Sequence, residues 1–538
     1  MAKALKSRAS KREYTSQQQI IIPGFETPFA QHLSTINRWV VLASNIPWDS
    51  LVSVYQNQMH NTLTGADGIN PRVAIGAIII KHMCGFSDEE TVLQIQENMY
   101  MQYFIGYSSF SNEVPFDSSL FVDFRKRLGA DAVNLINEKI LGLSAGGTIG
   151  REPPPDDPEA KNEVKEKSDS SSINKTKQDE KTEPTMQVPS SVGNEEARLP
   201  YEDQISTGNT VTTADKNTEK PDNDDIRKGQ LIIDATACPQ DIRYPTDLDL
   251  LNDAREKSEE LIDELYCSTR HKSKPRTYRE IARTKYLKTA QKKHKTKKGI
   301  RNAIKVQLQY LKRNIGNIHK LLKEYGKFPL NRYQYKYFLI IQTFYDQQAK
   351  MYAQKTHSIE HRIVSIHQPH VRPIVRGKTT AKVEFGAKIQ VSLMGGFAFV
   401  EDFSWEAFNE GTRLMDAVER HKRRFGYYPK EVLADKIYCT RENRRKLKLL
   451  GIALRAKPLG RPKAVEAHVS PGERNPIEGK FGQAKAAYGM NRIKARLRET
   501  SESWIASIVL VLNLVKLAGQ VPYYLIYNLF AYLLRCET

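Results

Sequence analysis

Cysteine is scarce in this sequence, with 5 in 538 residues, and no two of them form a C-x-x-C pair. The first residues also lack the pattern of a secretory signal, in which a short basic start is followed by an apolar run. These absences argue against a disulfide framework and favour a reducing, cytoplasmic compartment.

Long uninterrupted apolar runs are also missing. The most membrane-like segment spans 504–534, but a membrane-spanning helix needs about 20 mostly apolar residues. We therefore expect buried C-terminal helices over residues 501–538, packed as a pair on the catalytic domain, and no membrane contact. The residues that interrupt the segment are Asn513, Lys516, Gln520, Pro522 and Asn528.

Acidic side chains are nearly absent between residues 270 and 323. This segment contains 19 basic residues and one acidic residue, Glu280, so its net charge is +18. The whole chain carries +20, and residues 151–228 carry −7, from 12 basic and 19 acidic side chains. A charge density this high fits a phosphate backbone, and less often an anionic membrane or an acidic protein. We expect DNA contacts from Lys292, Lys293, Lys297, Lys298 and Arg301.

Composition divides the chain into five parts. Residues 1–20 are basic and Gln-rich and predict a disordered tail, and residues 21–145 show helical patterns. Residues 146–228 predict a disordered acidic linker, because they hold too little apolar surface to offset ordering entropy. Residues 229–500 alternate strand and helix patterns, with a basic helical insertion at about 250–360, and residues 501–538 complete the chain.

The segment 21–145 predicts several short helices. One begins at Pro71, a second follows Ser87 in the capping box S-D-E-E and continues through TVLQIQENMYMQYFIG, and a third reads LFVDFRKRLG. Such helices form either a helix-turn-helix reader of DNA or a plain bundle, and the sequence favours neither. The DNA-reading interpretation makes the end of the third helix a contact, at Arg125, Lys126 and Arg127.

The order of elements from residue 229 is strand, insertion, antiparallel strand pair, helix, strand, helix, strand, helix. Gly395 and Gly396 mark the turn of the pair. This order is that of an RNase H-like α/β fold, in which the first and fourth strands are neighbours. The predicted fold class is therefore an RNase H-like α/β catalytic domain with a helical insertion, plus an all-α N-terminal domain.

Three acidic residues are candidates for catalysis. Asp234 in LIIDAT and Asp435 in VLADKIY each follow an apolar run, which places their carboxylates at strand ends. Glu478 lies in the spacing R-x3-E-x6-K with Arg474 and Lys485, and at 100° per residue the three share one helix face. An adjacent apolar stripe can bury this helix against the sheet, at Ile477, Phe481, Ala484 and Tyr488.

Converging carboxylates in a basic protein fit two-metal phosphodiester chemistry, in which Mg²⁺ takes hard oxygen ligands. We expect Asp234, Asp435 and Glu478 to be both catalytic residues and metal ligands, with Mn²⁺ able to replace Mg²⁺. Arg474 and Lys485 suit DNA phosphates. The histidines at 357, 361, 367 and 370 could hold zinc, contact phosphates or simply pack.

The chain resembles bacterial insertion-sequence transposases of the DDE type that have an InsH-like N-terminal domain. The resemblance covers most of the chain outside the acidic linker. It rests on DAT from Asp234, on HQPHVRPIVRGKTTAKVEFGAKI from His367, on ADKIY from Ala434 and on RNPIEGKFG from Arg474. The N-terminal segment NPRVAIGAIIIKHMCGFSDEETVLQIQEN is similar as well. The related signature has a Tyr three residues before the Arg, where this chain has Pro471.

This resemblance implies a DNA transposase that binds the terminal inverted repeats of its insertion sequence as a homodimer. It implies Mg²⁺-dependent cleavage, strand transfer into double-stranded target DNA, and a place beside the bacterial nucleoid. Two alternatives stay open: a metal-dependent nuclease on the same fold without strand transfer, and a non-catalytic DNA-binding protein.

Overall fold

The computed structural model of the chain describes residues 27–59, 68–143, 227–375, 383–456 and 471–536, together with Tyr14 and Ser16. Beyond residue 519 it describes only the backbone. All of these residues fall within one compact unit of the chain. The predicted acidic linker, apart from its last two residues, and most of the predicted basic tail lie outside the described residues.

Eight helices form the described N-terminal part, where the sequence predicts several short helices and places three of them. Asn70 accepts a hydrogen bond from the Arg72 N–H at the start of α4, and Gly85 ends that helix at a φ of 73°. The segment after Ser87 is two helices rather than one, because Asn98 ends α5 and its side chain caps α6. The helices are α1 (Pro28–His32), α2 (Arg38–Asn45), α3 (Trp48–Asn57), α4 (Pro71–Cys84), α5 (Asp88–Glu97), α6 (Met99–Phe104), α7 (Leu120–Arg127) and α8 (Ala130–Ile140).

Two residues of the predicted N-terminal tail are held by the fold. The Tyr14 hydroxyl donates to Asp49 Oδ1 at 2.7 Å, and the Ser16 hydroxyl donates to Asp49 Oδ2 at 2.8 Å. Tyr14 also packs against the N-terminal core. The prediction of a disordered tail is therefore wrong at these positions, because Asp49 on α3 offers both hydroxyls a charged acceptor.

A six-stranded mixed sheet forms the second part. Its strands are ordered β2-β3-β1-β5-β6. The sixth strand, β4, pairs with the same edge of β3 as β2 does, but β2 pairs with the first residues of β3 and β4 with its later residues. The β1–β3 pair is antiparallel, whereas β1–β5 and β5–β6 are parallel. The strands are β1 (Gln230–Pro239), β2 (Arg372–Val375), β3 (Val383–Met394), β4 (Phe397–Ser404), β5 (Glu431–Leu433) and β6 (Ala453–Arg455).

The β3–β4 hairpin turns at Gly395 and Gly396, as predicted. Both residues have positive φ, 53° and 75°, in the left-handed region that a two-residue hairpin turn requires. The pairing continues from Met394↔Phe397 to Lys388↔Ser404, with a bulge beside Gln390.

Between β1 and β2 the chain forms the expected helical insertion. Leu251, Leu311 and Ile341 are fully buried in a core of its own, separate from the sheet's cores. Within the basic segment, residues 291–296 are not helical and separate two helices. The insertion helices are α9 (Asp247–Leu265), α10 (Arg279–Ala290), α11 (Lys297–Lys323) and α12 (Arg332–Gln354).

Helices cover both faces of the sheet. Ile233 of β1 packs in one core with α13 (Leu414–Phe425) and α14 (Arg441–Leu449). Its neighbour Ile232 points to the other face and packs with α15 (Pro471–Ala486) and α16 (Arg498–Cys536). This alternation along β1 is the ordinary two-residue period of a strand.

One continuous helix, α16, replaces the expected pair of C-terminal helices. Leu510 and Leu514 pack into the N-terminal core, whereas Ile508 and Leu512 pack into the sheet core. Residues 498–519 form the one stretch among the described residues that is long and apolar enough to cross a membrane, and 61% of its most apolar window is buried. The helix is apolar all round here because it lies between two cores.

Candidate active site

The two predicted aspartates lie level with each other across the parallel β1–β5 pair. The register pairs Ile232 with Leu433. Two residues further along each chain are Asp234 and Asp435. β5 ends at Leu433, and Asp435 caps the short 3₁₀ helix Lys436–Tyr438 by accepting from the Lys436 N–H at 2.7 Å.

Asp234 does not end its strand, contrary to the prediction. It is the fifth of ten residues in β1, which continues as far as Pro239. The reason is that β1 keeps its antiparallel partner, with the register running on to Pro239↔Gly386. On its other side β5 stops before reaching Asp234, so in the described sheet no strand pairs with β1 there.

Helix α15 covers this part of the sheet by the predicted apolar stripe. Ile477 and Ala484 are fully buried in the sheet core, and Phe481 and Tyr488 pack against it. The stripe fixes the rotation of the helix. As a result its first turns are directed toward the two aspartates.

The side chain that reaches the aspartates is Arg474. Its Nη2 lies 3.3 Å from Asp234 Oδ2, and its Nη1 lies 3.4 Å from Asp435 Oδ1. The Arg474 Nε is buried and has no hydrogen-bond partner in the described structure. Arg474 therefore bridges two carboxylates, where we predicted a phosphate contact.

Glu478 lies one turn after Arg474 and is exposed, and Lys485 is half-buried. Among the described residues, no three His, Cys, Asp or Glu side chains are grouped closely enough to hold a metal ion. The structure thus brings Asp234, Asp435 and Arg474 together. The convergence of Glu478 with the two aspartates stays a prediction.

The environment of Asp234 disfavours its negative charge. Burial raises the pKa of Asp234 from 3.8 to about 6, against the opposing effects of a hydrogen bond from the Ala235 N–H and of Arg474. The charges of Glu410 and Asp435 raise it further. Burial thus outweighs the stabilising effect of Arg474 on the Asp234 carboxylate.

Glu410 was missed by the sequence analysis. Its carboxylate accepts from Lys388 Nζ at 2.8 Å, and its backbone lies near Gln390, whose side chain also donates to the Tyr438 hydroxyl at 3.2 Å. The 3₁₀ helix Glu410–Arg413 is thereby held against the segment that follows Asp435. No local signal marks Glu410, because its contacts Lys388 and Gln390 are two of several polar residues in VEFGAKIQVSLM.

The basic residues of the insertion differ in their availability to DNA. Arg301 is half-buried: it donates to the Tyr352 carbonyl at 2.9 Å and its guanidinium lies 4.0 Å from the Tyr352 ring centre. The others are exposed in the connection between α10 and α11 or at the start of α11. We call these exposed residues the basic connection: Lys292, Lys293, Lys295, Lys297 and Lys298.

Arg125 must be withdrawn from the predicted DNA contacts. It is 3% exposed, forms an ion pair with Asp88, and lies against Phe121 and Trp504. A buried, paired guanidinium supports the fold and cannot reach a phosphate. Arg127 donates to the Tyr55 hydroxyl at 3.1 Å, and Lys126 remains exposed beside Asp123 at 3.6 Å.

The four histidines between 357 and 370 have separate partners. His357 faces Asp247 at 3.4 Å, and His361 faces Glu406 at 3.0 Å. His367 contacts the Tyr337 hydroxyl, and the ring of His370 meets Trp405 edge-on at 4.4 Å. Among the described residues no group of three possible metal ligands includes these histidines, and the contacts they make are pairing and packing.

Two segments of the chain match models of transposase families. Residues 432–515, which include Asp435 and Glu478, match the family "Transposase DDE domain". Residues 28–127 match "Transposase domain (DUF772)". These matches confirm the resemblance to insertion-sequence transposases, and they support a transposase function and a nucleic-acid-cleaving enzyme.

One curated relative adds to this result. The chain is 34% identical over 110 residues to "Uncharacterized protein ORF8 in nfe locus" of Rhizobium meliloti. The alignment covers 20% of this chain and half the length of that relative. No solved structure matches the chain significantly.

Proposed function

We propose that this chain, two segments of which match transposase domain families, is a DNA transposase that cleaves DNA with Mg²⁺ and joins the new 3′ end to target DNA. The observation that carries the proposal is the Asp234–Arg474–Asp435 arrangement. It lies where β5 ends, beneath the helix that also bears Glu478.

The strand order supports an RNase H-like catalytic domain. β1 lies between an antiparallel hairpin and two parallel strands, the helices follow in the expected order, and α15 packs across β1. In this fold the helical insertion interrupts the path between β1 and the hairpin. The fold leaves the carboxyl end of the β1–β5 pair open to a DNA strand.

The donor set fits a divalent cation. Two carboxylates already share one positive group, the Arg474 guanidinium, and Asp234 still has a raised pKa. Carboxylate oxygens are preferred ligands of Mg²⁺ and Mn²⁺. Asp234 and Asp435 would hold the metal, with Glu478 as the third ligand.

Bound metal supplies an activated oxygen nucleophile and stabilises the leaving oxygen. The protein's own groups position the DNA. When the aspartates are neutralised by another cation, the Arg474 fork is available for bidentate contact with phosphate oxygens. Lys485, on the same helix, adds a second positive charge beside the cleaved strand.

The DNA-binding surface extends beyond the site in this proposal. The basic connection contributes sequence-independent affinity, because its exposed lysines can replace condensed counterions. The N-terminal helices recognise the inverted-repeat ends, with Lys126 and Arg127 as candidate contacts. Two copies would act together on a pair of ends in the bacterial cytoplasm.

The test is plasmid nicking and 3′-end joining with Asp234→Ala, Asp435→Ala and Glu478→Ala. Each variant should lose both activities and keep DNA binding. Asp416→Asn, at an exposed aspartate on α13, is the control and should retain everything. Nicking without end joining would indicate a nuclease, and near-wild-type nicking by any of the three variants would exclude the assigned site.

A further inference from the structure

The segment between α15 and α16 alternates buried and exposed side chains. Ile493 and Ala495 are buried, whereas Arg492, Lys494 and Arg496 are exposed. Arg498, also exposed, begins α16. We call Arg492, Lys494, Arg496 and Arg498 the cation row.

The backbone of this segment is fixed to the end of β1. The Ile493 N–H donates to the Pro239 carbonyl and the Asp241 N–H donates to the Ile493 carbonyl, each at 2.9 Å. The Ala495 carbonyl accepts from the side chains of Gln240 and Ser501. These bonds hold the exposed side chains on one side of an extended stretch.

The charges of the row are only partly neutralised. Arg492 pairs with Asp241, and Arg498 pairs with Glu502, each at 2.9 Å. Within the described parts of the chain, Lys494 and Arg496 have no acidic side chain at salt-bridge distance. Two exposed cations two residues apart, on a fixed backbone, repel each other unless an anion neutralises them.

Spacing and position both fit a DNA strand. Alternate side chains of an extended chain are about 7 Å apart, and the charges of one DNA strand recur every ~3.4 Å along the helix axis. The extended part of the row, from Arg492 to Arg496, therefore spans about 14 Å, which is about the axial rise of four nucleotides. The contact with Pro239 lies five residues beyond Asp234, which is about 17 Å along β1.

The row also lies near the N-terminal helices. Burial lowers the pKa of Lys81 on α4, and the charge of Lys494 is among those that lower it further. A strand leaving the Asp234 site along β1 would pass the row before it reaches the N-terminal part. The row is thus placed between the cutting site and the part of the chain to which we assign end recognition.

We propose that the cation row binds the phosphate backbone of DNA about five nucleotides from the cleaved bond, taking ~3.4 Å per nucleotide. This inference rests on the proposed function, which supplies the cleaved strand. It assigns a positioning surface to a segment outside the carboxylate site.

The first test is the salt dependence of binding to a random-sequence duplex, measured by fluorescence anisotropy. Lys494→Gln with Arg496→Gln removes two phosphate contacts and should flatten the slope by about 1.8. Between 50 and 200 mM salt, the wild-type advantage should therefore shrink about twelve-fold. The control is Arg423→Gln with Lys448→Gln, which removes two exposed cations from helices on the other sheet face.

The second test locates the contact. Lys494→Cys, one residue beyond the Ile493 contact with Pro239, joined through a thiol-reactive tether to single phosphates around the mapped nick, should crosslink best near the fifth or sixth nucleotide. Wild-type protein controls for the native cysteines. A double variant with the wild-type salt slope, or crosslinks spread evenly along the duplex, would overturn the proposal. If the wild-type protein shows no metal-dependent nicking, the proposed function is refuted, and the salt test of the cation row remains valid.

Discussion

Replacing the central carboxylate should stabilise the protein while it abolishes cleavage. Burial gives Asp234 a pKa of about 6 in the folded chain, against 3.8 for the ordinary side chain. Between these values the folded state holds more protons than the unfolded state, so stability falls as pH rises from about 4 to about 6. Asn cannot ionise, and Asp234→Asn therefore removes this cost.

The magnitude follows from the shift. About two pKa units, at ~1.4 kcal/mol each, make the ionised carboxylate cost about 3 kcal/mol. This value already includes the attraction of Arg474, and the Asp234 side chain is only 18% exposed, so solvent screens little of it. The increase in the free energy of unfolding that Asp234→Asn causes should be close to zero near pH 4 and should reach its full value above about pH 7.

The assay is urea unfolding of wild-type and Asp234→Asn protein with a chelator present, at low and at high pH. We expect the variant to be more stable by up to about 3 kcal/mol at high pH alone. Asp416→Asn should change neither value. An equal gain at both pH values, or a loss at high pH, would refute the electrostatic account of the site.

Four further outcomes are expected. Arg125→Ala should cost about 1.5–3 kcal/mol in urea unfolding because it removes a charged hydrogen bond to Asp88, which keeps its pairing with Lys81; a stable variant that binds DNA poorly would contradict this. Glu410→Gln should lower the pKa of Asp234, seen as a downward shift of the pH at which stability falls; no shift would remove Glu410 from the site. Deleting residues 155–225 should preserve cleavage, since loop-closure entropy varies slowly with length; loss of soluble protein would contradict this. Replacing the five lysines of the basic connection by Gln should flatten the salt slope of DNA binding by up to about 4.5. An unchanged slope would mean that these lysines face solvent and do not contact DNA. The residues are Lys292, Lys293, Lys295, Lys297 and Lys298.

The order of strands and helices was accessible from the sequence because local signals mark it. Pro71 and the Gly395-Gly396 turn fix element ends by backbone geometry, and the stripe containing Ile477 fixes the face of α15. The register that sets Asp234 beside Asp435 followed from the strand order. These features depend on near neighbours in the chain.

Other features of the fold and the site depend on tertiary contacts, which local sequence patterns do not indicate. A basic triplet at the end of α7 gives no sign that Arg125 turns inward to Asp88. The apolar pattern of α16 is the same whether one core or two surround it. Likewise, nothing in the local sequence places Glu410 near Asp234, since the two are brought together by the packing of separate elements.

The central claim is that Asp234 and Asp435 form one cation site, now bridged by Arg474. The most direct measurement is Mn²⁺ binding by electron paramagnetic resonance in the absence of DNA. Wild-type and Asp416→Asn protein should bind Mn²⁺, and Asp234→Asn with Asp435→Asn should lose that binding while it remains folded. Undiminished Mn²⁺ binding by the double variant would contradict the account.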